Sequence, residues 1–196
     1  HFLFTRDTGF LTDIYPVMKG CVEFFMDFLV EHPNGRWLVT NPSNSPENPP
    51  KGPGYKYFYD EVTGMYYFTT IVAGSTIDMQ ILKDLFLDFK AAADILHKDV
   101  EFTTQVTTAR SRLVPSQVGR DGMLQEWTED YGQLEEKHRH FSHLYGLYPG
   151  NVISLRNTPE LVEPVKKVLE QRGDGGTGFS RGWKMALWAR LNDGDR

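Results

Sequence analysis

Glu47 stands in Asn41-Pro42-Ser43-Asn44-Ser45-Pro46-Glu47-Asn48-Pro49, where three prolines and three asparagines fall within nine residues. Proline lacks an N–H and fixes φ, so no regular ladder is expected here. A carboxylic acid on a stiff loop above a helical scaffold can act as a general acid. Taken alone, the stretch favours the plainer reading of a solvated carboxylate in a Pro-rich turn. Asn44 and Asn48 put amide groups on either side of it.

Three further groups of residues could do chemistry. His138, His140 and His143 suggest a metal site, but on a helix only His140 and His143 share a face. No cysteine is near them and no carboxylate stands at the Glu step of H-E-x-x-H, so the spacing disfavours a metal. Gly173-Asp174-Gly175-Gly176-Thr177-Gly178 matches G-x-G-x-x-G by letters, yet a helical pattern precedes it where a dinucleotide site needs a strand. A sharp helix-to-helix turn fits better, with Thr177 facing a pocket or capping the next helix. Trp127, beside Glu126 in a loop, either stacks on a ligand ring or packs in the interior. Trp183 and Trp188 recur at helical spacing and read as core.

The elements that must position these groups are mostly helical. Pro16 is placed as the first residue of a helix. Val17, Cys21, Phe24, Phe25, Phe28 and Leu29 then form its buried stripe to about Glu31, with Cys21 as a buried thiol. His32-Pro33-Asn34-Gly35 ends it, and Trp37 to Val39 reads as a short strand. Lys51 to Tyr59 is expected to be an ordered loop, and Met65 to Val72 a second short strand. Ser75-Thr76-Ile77-Asp78 has the form of a capping box for a helix whose broad apolar face carries Ile77, Ile81, Leu85, Phe89, Ala92 and Leu96. A helix over 99–113 follows, ended by Pro115. Residues 117–130 are irregular, and a short helix is expected over 138–147. Another helix begins at Asn157-Thr158-Pro159 and stops at Gly173, with Pro164 kinking it or delaying its start. Ser180 is expected to cap the last helix.

The chain has 196 residues, 40% of them apolar and 24% charged, which suits one domain with a sizeable core. A net charge of −5 excludes the basic face of a nucleic-acid binder. One cysteine excludes an internal disulfide framework. No apolar run reaches the length of a membrane span. His1-Phe2-Leu3-Phe4 reads as the tail of a helix, so targeting signals are not legible.

Three stretches together carry a resemblance to a known family. They are Ser45-Pro46-Glu47-Asn48, then Leu124-Gln125-Glu126-Trp127 with His138-Arg139-His140-Phe141-Ser142-His143-Leu144-Tyr145-Gly146-Leu147-Tyr148-Pro149-Gly150, and then Arg172 to Ser180 with Trp183-Lys184 and Trp188-Ala189-Arg190-Leu191. In this order the chain resembles glycoside hydrolase family 95, the inverting 1,2-α-L-fucosidases. The resemblance implies an all-α fold in which 1–196 form about half of a single (α/α)6-barrel catalytic domain, with short accessory strands. It implies that Glu47 is the general acid, kept protonated near neutral pH by partial burial. Asn44, Asn48, Glu126, Trp127, His138, His140 and His143 become the expected substrate-binding set, with Glu126 either in the pocket or bracing a loop. Inverting glycosidases usually place two carboxyls about 6.5–9.5 Å apart. The resemblance instead implies an Asn amide activated by a distant Asp, in an upstream Asn-rich strip and a downstream Asp-Gly-Asn-Phe-Gly motif. No base is therefore assigned to Glu126, Asp130 or Asp174. The implied partners are a fucosylated oligosaccharide and the remainder of the same domain, with no cofactor, metal, nucleic acid or membrane. The implied location is extracellular, periplasmic or cell-surface. An α-L-galactosidase of the same family and a non-catalytic glycan-binding helical toroid are the rival readings.

Overall fold

The computed structural model describes residues 1–52, 58–67 and 69–196. About half of these are helical, with a few two- and three-residue strands. A short helix α1 (Phe2–Thr5) is followed by α2 (Thr8–Phe28), whose first turn is capped by Asp7 accepting the Phe10 N–H at 2.9 Å. Pro16 lies inside α2 and not at its start. The packed face of α2 runs through Leu11, Tyr15 and Val22, assisted by Ile14, Met18 and Phe25. This stripe begins before Pro16 and continues past it, so tertiary burial outweighs the one lost backbone bond. Val17, Cys21 and Phe24 face outward, and Cys21 is an exposed free thiol. Half of the stripe expected from the sequence therefore faces outward, while Phe25 and Leu29 pack on the core and Phe28 is half-buried.

α2 stops three residues earlier than expected. Leu29–Glu31 (β1) pairs antiparallel with Leu38–Thr40 (β2), around a turn in which the Asn34 side chain accepts the Arg36 N–H. The Pro-rich loop follows, flanked by short ladders. Ser43–Asn44 (β3) pairs with Ile71–Val72 (β7), and Pro50–Lys51 (β4) pairs with Gly132–Gln133 (β8). Phe58–Asp60 (β5) pairs with Met65–Tyr67 (β6). The strand expected over 65–72 is therefore two pieces in different ladders, and the loop expected over 51–59 falls partly outside the described residues.

α3 (Thr76–Leu96) is the axis of the chain. It packs against α2 on one side and α4 (Val100–Arg112) on the other, and Met79, Leu82, Phe86, Phe89, Ala92 and Ala93 form the first core with Tyr15, Val22 and Val106. The anticipated capping box does not form. Asp78 accepts hydroxyl donors from Thr40 at 2.8 Å and Ser43 at 2.7 Å, and the Ser75 N–H donates to Ser43 at 3.0 Å. The N-terminal turn of α3 spends its polar groups on tethering the Pro-rich loop.

A second core joins Leu124, Phe141, Leu144, Leu147 and Ile153 to α5 (Val162–Arg172) and α6 (Gly178–Arg190). The helix expected over 138–147 is instead a 3-10 turn, Ser142–Leu144, in irregular chain. His140 gives its N–H to its neighbour's ring nitrogen, His138 Nδ1, at 3.1 Å. Such local side-chain bonds compete with helix formation. Pro164 delays α5, which is preceded by the 3-10 turn Pro159–Leu161. Gly173 then ends α5 with φ of 65°, as its left-handed backbone requires. Thr177, not Ser180, caps α6, its hydroxyl accepting the Ser180 N–H. With helices on both sides, the glycine stretch is a helix-to-helix turn. Trp188 is buried, in keeping with its helical spacing, and Leu187 and Leu191 are buried beside it.

Candidate active site

The Ser45 to Asn48 segment is a tight turn, closed by the Asn48 N–H donating to the Ser45 carbonyl at 3.3 Å. Pro46 supplies the fixed φ of its second position. Glu47, at the third, has φ of 54°, a place that turns usually give to Gly or Asn. A side chain held in the left-handed region is a reservoir of strain often found at functional positions. The turn turns the Glu47 side chain outward, 58% exposed, so the expected partial burial of this acid is not provided by residues 1–196. Two groups of the 138–147 segment meet its carboxylate. Arg139 Nη2 makes a close ion pair with Oε2, and His140 Nε2 lies 3.1 Å from the same oxygen. Burial, and next the Arg139 charge, lower the His140 pKa, which favours the neutral ring. A neutral imidazole can donate to a Glu47 carboxylate or accept from its protonated form.

Beneath the turn lies a buried polar cluster. Ser45 donates to Glu126 Oε1 at 2.5 Å, Asn48 Nδ2 donates to Oε2 at 2.8 Å, and Arg172 Nη2 donates to Oε2 at 3.1 Å. The Ser45 proton is thereby engaged, so the Ser142 hydroxyl, 2.6 Å away, is the donor in that pair. Arg172 also donates to the carbonyls of Glu135 and Glu136 at 3.0 Å. Burial raises the Glu126 pKa, against the pull of Arg172 and of the Ser45 and Asn48 donors. The His143 ring is fully buried, 3.6 Å from Glu126 Oε2, and among the described residues neither of its nitrogens has a hydrogen-bond partner. Burial and then Arg172 hold its pKa well below the usual value, so it is neutral.

α3 positions both walls of this cluster. Its Thr76 N–H donates to the Glu126 carbonyl at 3.1 Å. One turn later Gln80 donates to the His143 carbonyl and accepts the Gly146 N–H, each at 2.8 Å. A Cβ on Gly146 would come 2.9 Å from the Gln80 side chain, so only glycine allows this approach.

The expected substrate-binding set therefore divides. Asn44 is exposed and His140 reaches the Glu47 carboxylate. Asn48, Glu126, Trp127, His138 and His143 are each at most 5% exposed, and of these Asn48, within the turn, and Glu126, beneath it, are hydrogen-bonded to each other. Glu126 is hydrogen-bonded to Ser45 and Asn48 of the turn. Trp127 sits edge-on to Tyr131 in the interior, 2% exposed. The three histidines point to different partners, and among the described residues no group of His, Cys, Asp or Glu converges as metal ligands. Sequence reasoning missed Arg139, Ser45, Ser142 and Arg172. Arg172 left a signal: it falls on the buried stripe of Val165, Val168 and Leu169, and a cation there calls for a buried anion.

The glycosyl hydrolase family 95 catalytic domain profile matches residues 1–196. The chain is similar to alpha-L-fucosidase 2 of Arabidopsis thaliana, 38% identical over 100% of this chain and 22% of that protein. It is 32% identical to probable alpha-fucosidase A of Aspergillus niger, over 98% of this chain and 24% of that protein. A second probable alpha-fucosidase A, from Aspergillus oryzae, is 28% identical over 81% of this chain and 21% of its own length. The chain thus spans under a quarter of the length of the relatives it matches. With the Glu47 turn and its buried support inside a stretch matched from end to end, this chain belongs to the catalytic domain of glycosyl hydrolase family 95.

Proposed function

We propose that the chain is the acid-bearing part of an inverting α-L-fucosidase that releases terminal α-1,2-linked fucose from oligosaccharides outside the cytoplasm. Glu47 gives its proton to the glycosidic oxygen as the bond from the anomeric carbon to that oxygen breaks. Water attacks the opposite face of the sugar, and its proton passes to a base system on a part of the domain outside residues 1–196. Arg139 and His140 hold the acid, and the neutral His140 ring serves both of its protonation states. The observation that carries the reading is Glu47, held in a left-handed turn against Arg139 and His140, in a chain that matches the family throughout. The alpha-fucosidase names of the relatives supply the sugar.

The fold proposed is about half of an (α/α)6 toroid. α2 supports it by carrying two apolar faces, one packed on α3 and one exposed through Val17, Cys21 and Phe24. Helices in a closed ring bury both faces, and the second would meet the remainder of the same domain.

In the full-length protein, Glu47→Gln is expected to lower kcat on 2′-fucosyllactose at least about 100-fold, the scale of losing a general acid, with KM little changed. A variant within threefold of the parent on this unactivated glycan would overturn the assignment. Faster release of L-galactose than of L-fucose by the parent would move the substrate to the related sugar.

A further inference from the structure

We propose that Glu126 is the positioning residue of the acid turn, a buried carboxylate that holds Ser45 and Asn48 so that Glu47 between them stays aimed at Arg139 and His140. This rests on the reading of Glu47 as the general acid. The two residues at the ends of the Pro46-Glu47 excursion are both fixed to one carboxylate, Ser45 on Oε1 and Asn48 on Oε2. Neither Glu126 nor Arg172 exposes any of its side chain. The 138–147 segment enters the same network, because Ser142 donates to Ser45 two residues after His140. Acid, imidazole and guanidinium are therefore referred to a single buried point.

The chemistry of the cluster requires a carboxylate there. Three donors converge from Ser45, Asn48 and Arg172, and a carboxylate presents acceptors only. A glutamine would turn one acceptor into a donor facing one of those groups and would leave Arg172 without its counter-charge. Burying an ion pair is a weak source of stability, whereas fixing a unique geometry is a documented use of such pairs. The turn needs that fixing, since the positive φ of Glu47 would otherwise relax.

The test uses the full-length protein, with Glu126→Gln, Ser45→Ala and Glu47→Gln compared on two substrates. In 2′-fucosyllactose the departing sugar oxygen needs a proton. In α-L-fucosyl fluoride the departing fluoride needs little help, while binding and water attack are still required. Glu126→Gln is expected to lower kcat on the glycan by about 10- to 100-fold, the scale of a roughly 1 Å misplacement, with KM within about twofold. It should retain most of the fluoride activity. Ser45→Ala, which keeps the Glu126–Arg172 pair, should show the same split to a smaller degree and carries the test if Glu126→Gln does not fold. Equal losses on both substrates, or no loss on either, would overturn the positioning role while Glu47→Gln still fails on the glycan. If Glu47→Gln itself keeps the parent rate on the glycan, the acid assignment falls and the positioning role falls with it.

Discussion

Glu126 and Arg172 meet inside the protein with neither side chain exposed, Nη2 of the guanidinium 3.1 Å from the carboxylate. The contact joins the irregular 117–130 segment to the end of α5. Removing one partner of such a pair strands a buried charge, at a cost of about 3–5 kcal/mol. Arg172→Met in the full-length protein is therefore expected to lower stability by that order, measured by chemical denaturation. Glu126→Gln combined with Arg172→Met should recover part of the loss. A single variant as stable as the parent would show that the pair is not strained by loss of its cation.

Glu47 gives a second expectation. Its left-handed backbone carries strain of order 1–3 kcal/mol, and asparagine tolerates that conformation better. The contacts with Arg139 and His140 are half exposed, and exposed pairs contribute little to stability. Glu47→Asn should hold or raise the melting temperature while abolishing turnover on an unactivated fucoside. A clear fall in melting temperature would mean that the turn is favourable for Glu47 as it stands.

The apolar repeat of α3 was legible in part: Phe89 and Ala92 are buried and Leu85 and Leu96 pack against the first core, but Ile81, expected on the same face, is exposed, and Met79 is buried instead. α2 was less legible, because it has two apolar stripes and the sequence does not say which one this part of the chain covers. Glu47 drew notice through its prolines, and Asn48 and Glu126 through the family resemblance, but Ser45 and Ser142 did not. Folding brings Ser45 and Arg172 onto one carboxylate across 81 and 46 residues of chain, and Ser142 onto Ser45, contacts that no local pattern announces. The 138–147 segment failed as a helix for a local reason, the His140 N–H being taken by the His138 ring.

Acid sensitivity follows from the same cluster. A histidine in the unfolded chain titrates near 6.5, while burial holds His143 well below that in the fold. The folded state then binds fewer protons, so His143 favours folding above pH 6.5 and that advantage is lost as pH falls toward the depressed value. Glu126 acts in the opposite sense, since its raised pKa favours the folded state at low pH and that favour is lost as pH rises through the folded value. His138 and His140, also lowered by burial, add to the histidine effect. His143→Met in the full-length protein should flatten the fall of melting temperature below pH 6.5 without removing it. An unchanged slope would show that His143 does not take up its proton on unfolding.

Expressed alone, residues 1–196 are expected to self-associate or to form a molten state, and to be inactive. Leu187 and Leu191 of α6 are buried in the second core and do not contribute. The exposed surface lies instead on α1 and α2, where Phe4 is 95% exposed, Val17 60% and Phe24 58%. Among the described residues Phe24 stacks on Phe28 of its own helix, with ring centroids 5.5 Å apart, and meets Phe25 edge-on. Each such side chain gains roughly 1.5–3 kcal/mol when fully buried, so leaving several in water forfeits much of a typical net stability of about 5–15 kcal/mol. Gel filtration, dye binding and near-ultraviolet circular dichroism would report the association and the loss of fixed packing. Changing Val17 and Phe24 to Glu together should restore a monomer if this face drives association. A monomeric, cooperatively melting parent chain that releases fucose would overturn both the need for a covering partner and the placing of the base outside these residues.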